Sequence, residues 1–90
     1  MERFLIISPH TFEECIKALH ETMMQGYITH FDWGCMSGDH NGYIIIEADN
    51  EAEAIMSVPP FLRHKARTIK LCKFTEDVVK KLVAEQHKPC

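Results

Sequence analysis

Along the chain, apolar residues switch between strand spacing and helix spacing. Arg3 to Ser8 (RFLIIS) is a short β-branched run closed by Pro9, which predicts a strand buried on both faces. Thr11 with Glu14 three residues on forms a capping-box signature, and Phe12, Cys15, Ile16, Leu19 and Met23 recur at helical spacing until Gly26 supplies a stop. The pattern predicts an amphipathic helix from about Thr11 to Gln25 whose other face carries Glu13, Lys17, His20 and Glu21. Ile28 to Met36 then alternates, with Phe31, Trp33 and Cys35 on one side and His30, Asp32 and Gly34 on the other, as a second strand does. Gly42 to Ala48 (GYIIIEA) is apolar on both faces, the pattern of an interior strand, and the turn cluster Ser37 to Gly42 joins these two strands as a hairpin.

Asn50 and Glu53 form another capping box, opening a helix with Ala52, Ile55 and Met56 inward. Pro59 and Pro60 stop it by Val58, because the residue before proline is pushed out of the helical region. Phe61 to Ala66 predicts a second short helical piece. Thr68 to Phe74 (TIKLCKF) alternates with lysines on one side, as a guarded edge strand does. Thr75 caps a last helix from Glu76 to about Gln86 with Val78, Val79, Leu82 and Val83 as its buried stripe, and His87 and Cys90 fall in a tail expected to fray.

The order β-α-β-β-α-β plus a terminal helix predicts an α+β, ferredoxin-like domain over residues 1–90. Its helices cover one face of a four-stranded antiparallel sheet ordered 4-1-3-2, the hand being set by the right-handed crossover rule. The first and third strands are apolar on both faces, and one helical layer covers only one, so the other face is expected to pair with a second chain as a homodimer.

Composition narrows the classes. Ninety residues bury only roughly 60 to 65% of the unfolded chain's surface, which makes a lone monomer marginal. With 46% hydrophobic and 26% charged residues, the chain matches an ordinary soluble domain without a membrane span. The Phe4 to Ile7 run is too short for a signal-peptide core, so a cytoplasmic location is expected. Net charge of -3 argues against nucleic acid as a partner, although Arg63, Lys65, Arg67, Lys70 and Lys73 cluster late in the chain. Cys15, Cys35, Cys72 and Cys90 contain no CxxC pair and predict no disulfide framework.

The strand FLIISPH, the hairpin HFDWGCMSGDHNGYIIIEADNEAEA and the strand ARTIKLCKF resemble, over nearly the whole chain, small uncharacterised members of the dimeric α+β-barrel superfamily. The likeness is one of pattern. It implies the fold and the dimer, and more distantly the activity of enzymatic members such as muconolactone isomerases and cofactor-independent monooxygenases. No catalytic signature of either carries over onto residues of this chain.

A hairpin turn centred between Asp39 and His40 places Phe31, Trp33 and Cys35 opposite Ala48, Ile46 and Ile44, and sets Asp32 against Glu47. Those facing carboxylates either reach water at an edge or form an acid/base pair or cation site with His30. The topology gathers His10, Cys35, Asp39, His40, Tyr43 and Arg67 at one edge of the sheet, with Arg63 and His64 close by. Beside Trp33, that set suits a pocket for a small organic or anionic metabolite between sheet and helices. The expected function is therefore ligand binding by Trp33, Cys35, Asp39, Tyr43, Arg63 and Arg67. One alternative is an isomerase or monooxygenase using His10 or His40 as general base. Each residue also has a plain reading: Asp39 and His40 as turn formers, His10 at an exposed helix start, Trp33 in the core. His10, Cys35, Asp39 and His40 are chemically suitable ligands for a divalent metal, a further alternative, but Cys35-x3-Asp39-His40 matches no recognised zinc spacing, so no metal site or cofactor is assigned.

Overall fold

The computed structural model describes residues 1–85. Strand β1 (Glu2–Pro9) is followed by helix α1 (Cys15–Met24), strand β2 (Asp32–Trp33) and a 3-10 turn at Cys35–Ser37. Then come β3 (Asn41–Ala48), α2 (Glu51–Ala54), two 3-10 segments at Ile55–Ser57 and Pro60–Lys65, β4 (Arg67–Leu71) and α3 (Glu76–Glu85). The fold is α+β: one open antiparallel sheet in the order β2-β3-β1-β4, with a C-terminal helix. The predicted strand order is the observed one. Among the described residues no helix is long and apolar enough to cross a membrane.

β1 and β3 form the centre because each carries a run of β-branched and other large apolar residues, Phe4 to Ile7 and Tyr43 to Ile46, and they run side by side for eight residue pairs, from Glu2 opposite Ala48 to Pro9 opposite Asn41. One face of this pair supplies Phe4, Ile6, Ile44 and Ala48 to the core, which Ala18, Phe31, Ala54, Val58 and Leu62 complete from the other side. The opposite face presents Leu5, Ile7, Tyr43, Ile45 and Ile69, none of them buried, and Ile45 is 57% exposed.

The Thr11–Glu14 capping box forms in both directions, and Asn50 acts as a side-chain cap alone. Asn50 accepts the Glu53 amide at 2.8 Å and opens α2, which tightens to 3-10 before Pro59. The Thr11 hydroxyl accepts the Glu14 amide at 3.2 Å and Glu14 accepts the Thr11 amide at 2.9 Å, but this closes a turn ahead of the helix, so α1 starts at Cys15 rather than Thr11. Its inward face also differs from the predicted one. Ala18 and Thr22 are buried and Cys15 and Leu19 half-buried, whereas Phe12, Ile16 and Met23 are exposed. Ala18 joins the core, and Thr22 satisfies its buried hydroxyl on the Ala18 carbonyl at 2.7 Å.

The predicted second strand is corrected most. Only Asp32 and Trp33 pair with β3, opposite Tyr43 and Gly42, so Asp32 never meets Glu47, which lies opposite Arg3. Gly34 ends the strand: its carbonyl accepts the Ser37 and Asp39 amides at 2.9 and 3.0 Å, turning the chain into the 3-10 segment. A Cβ at Gly34 would sit 2.7 Å from the Asp39 carbonyl oxygen, so glycine is required for that close approach. The predicted stripe of α3 is likewise unburied, with Val78, Val79 and Val83 exposed; the helix itself starts as expected, the Val78 amide donating to Thr75 Oγ1 at 3.2 Å. His87 and Cys90 lie outside the described residues.

Lys65 holds Glu14 at 2.9 Å, tying the 3-10 segment before β4 to the start of α1. The Lys65 partner, with the Thr11 amide, lowers the Glu14 pKa to about 2 from 4.5. A carboxylate whose folded pKa is depressed stabilises the protein above pH 4.5, and that contribution is lost as pH falls toward 2. In acid unfolding followed by circular dichroism, Lys65→Met is expected to show a shallower loss of stability than the parent between those values; equal slopes would remove the pair's role.

Candidate functional site

β1 and β3 continue their register one step past the sheet, where the His10 amide donates to the His40 carbonyl at 3.0 Å. This brings the two imidazoles together, centroids 5.7 Å apart. The Gly34 turn then aims Cys35 back at the same point, with its Sγ 3.3 Å from His10 Nε2. The shortened α1 adds Cys15 as its first residue. Donor atoms of His10, Cys15, Cys35 and His40 all lie within 4.8 Å of one another, His10 buried and the other three half-buried.

Trp33 forms one wall, stacked on Phe31 at 5.3 Å and edge-on to His10 at 6.0 Å, while the Phe12 ring stands edge-on to His40 at 6.0 Å. Within this wall His40 Nδ1 and Trp33 Nε1 are buried without a hydrogen-bond partner, two unsatisfied polar atoms side by side with the His10 ring. Burial, followed by the neighbouring His40 charge, pushes the His10 pKa down, opposed by Glu14 and the Ser8 backbone. The ring is thereby kept neutral with a lone pair available. Burial and then contact with Cys15 push the Cys35 thiol up, so a nearby cation would be needed to hold it as thiolate.

The remaining predicted residues separate from this centre. Asp39 accepts hydrogen bonds from the Tyr43 hydroxyl and the Asn41 side-chain amide, which lower its pKa, and the bond to Asp39 raises that of Tyr43; the three form a brace across the turn. Arg63 is taken up by the backbone, donating to the Val58 carbonyl at 2.8 Å and the Met56 carbonyl at 3.2 Å, where it clamps the Pro59-Pro60 bend. Arg67 stands on the edge strand opposite Ile7, on the open face. An open depression of about 400 Å³ lies at the far end of β1, lined by Met1, Glu2, Arg3 and Lys70 to Lys73, and includes none of the predicted site residues. Sequence reasoning missed Cys15. Its helical spacing with Phe12 and Ile16 disguised it as a core residue, and the only signal against that was its position one residue after the capping box.

No family model matches the chain, and no curated protein or solved structure matches it significantly.

Proposed function

We propose that the protein binds one transition-metal ion, zinc by ligand preference, between His10, Cys15, Cys35 and His40. The observation that carries this reading is the convergence of two imidazoles and two thiols from four separate chain segments within 4.8 Å. A tetrahedral zinc with bonds of about 2.0 to 2.3 Å needs donors roughly 3.3 to 3.8 Å apart, so a small contraction closes the shell. Two sulfurs and two nitrogens favour zinc over the oxygen-seeking magnesium and calcium. Four protein ligands describe a closed, structural site that pins α1 and the Gly34 turn to the end of the sheet. This reading is preferred to a metabolite pocket because Arg63 serves the backbone and Asp39 braces its own turn, which leaves the anion-binding set dispersed.

Metal-free protein titrated with Zn²⁺ against a chromophoric chelator is expected to take up one ion per chain. Its melting temperature should rise by roughly 10–20 °C at free zinc a hundredfold above Kd, with Trp33 fluorescence changing in step. Absence of uptake by the reduced protein would sink the reading.

The active form is a homodimer of ferredoxin-like subunits, joined through the open sheet face as in dimeric α+β-barrel proteins. Leu5, Ile7, Ile45 and Ile69 provide the apolar centre, with Arg67 on one flank and Asp32 on the other. Sedimentation at micromolar concentration should give twice the chain mass for the parent and a monomer for Ile45→Lys. A monomeric parent would overturn the dimer and leave the metal reading standing.

A further inference from the structure

We infer that Cys15 and Cys35 form a reversible disulfide that removes two of the four metal ligands, making ion binding sensitive to peroxide. This rests on the metal reading and adds a control to it. The two sulfurs belong to the group of donors within 4.8 Å of one another, and both residues are half-buried, so a small oxidant reaches them. They come from different elements, Cys15 opening α1 and Cys35 opening the 3-10 turn. A disulfide requires about 2.05 Å between sulfurs. One χ1 step moves a sulfur by about 3 Å, enough to cover the remaining approach without moving either element far.

The oxidant is a peroxide. Cys15, once deprotonated, attacks a peroxide oxygen and displaces hydroxide, becoming a sulfenic acid. Cys35 then attacks that sulfur and displaces water. Two thiols lose two electrons and two protons, and hydrogen peroxide gains them to become two waters. His10 Nε2, 3.3 Å from Cys35 Sγ, is placed to hold the Cys35 proton during the second step. Once joined, the sulfurs are no longer anionic donors, and only His10 and His40 are left for the ion. A bound ion in turn occupies both thiolates and should slow their oxidation.

Full-length protein, metal-free or loaded with zinc, would be exposed to hydrogen peroxide, alkylated and mapped by mass spectrometry. Zinc affinity would be measured before oxidation, after it and after reduction with dithiothreitol. The expected result is a crosslink joining the peptides of Cys15 and Cys35, formed at least about tenfold faster without zinc. Zinc affinity should fall by at least about a thousandfold and return on reduction. Oxidation that leaves both thiols open to alkylation, yields only sulfinic acids, or crosslinks Cys72 or Cys90 instead would overturn the inference. So would a Cys15–Cys35 crosslink that leaves zinc affinity unchanged. Failure of the reduced protein to bind zinc overturns the metal reading itself and, with it, the gating; zinc binding without the crosslink overturns the gating alone.

Discussion

The Cys15→Ser/Cys35→Ser double variant is expected to bind zinc at least about ten-thousandfold more weakly than the parent while keeping the strand order. Structural zinc sites of four ligands hold the ion with about 10 to 16 kcal/mol, and removing both thiolates discards roughly half of that. The two side chains stand differently. Cys15 opens a helix whose packing relies on Ala18 and Thr22, so serine there disturbs little apart from the donor. Cys35 follows Gly34, whose carbonyl organises the turn through backbone bonds that the substitution leaves in place. Each single variant should accordingly lose a similar share of affinity. Competition with a chromophoric chelator measures both, and far-ultraviolet circular dichroism of the metal-free proteins checks that the fold persists. An Asp39→Ala variant, which removes a residue braced by Tyr43 and Asn41, should bind zinc nearly as the parent does. If Asp39→Ala weakens binding and Cys15→Ser does not, Asp39 is the fourth ligand and the convergence at Cys15 is accidental.

The contrast between Cys15 and Asp39 marks how far the sequence was legible. The central pairing of β1 with β3 was readable because both strands are apolar on both faces, a pattern that only an interior strand needs. The strand order followed from topology. The hairpin was misread because Phe31, Trp33 and Cys35 alternate as a strand does, yet Gly34 diverts the chain through backbone hydrogen bonds that carry no hydrophobic signature. That diversion is what turns Cys35 toward His10. Along α1, the larger apolar residues implied one face, while the structure buries the face that carries Ala18 and Thr22, a choice made by tertiary packing that periodicity alone does not show. The open sheet face, by contrast, was anticipated from β1 and β3 alone, since a single helical layer leaves their second apolar face uncovered.

Phe4→Ala should destabilise the protein by about 3 to 5 kcal/mol, a large part of the whole for a domain of this length. Phe4 is 1% exposed and belongs to the core cluster, on the central strand between Ile46 of β3 and Lys70 of β4. The loss combines the transfer of a phenyl ring back to water with the cavity left behind, and an interior strand cannot collapse to fill that space without losing its ladder on both sides. His10 and the His40 carbonyl meet at the end of this same β1–β3 ladder. Loosening the sheet should thus weaken the metal site from a distance, and saturating zinc should restore part of the lost melting temperature, because the ion binds only the folded arrangement. Urea unfolding of metal-free and zinc-loaded Phe4→Ala separates the two effects. A change under 1 kcal/mol without metal would mean that the core does not depend on this ring. A full loss that zinc leaves untouched would mean that the four donors assemble independently of the sheet that presents them.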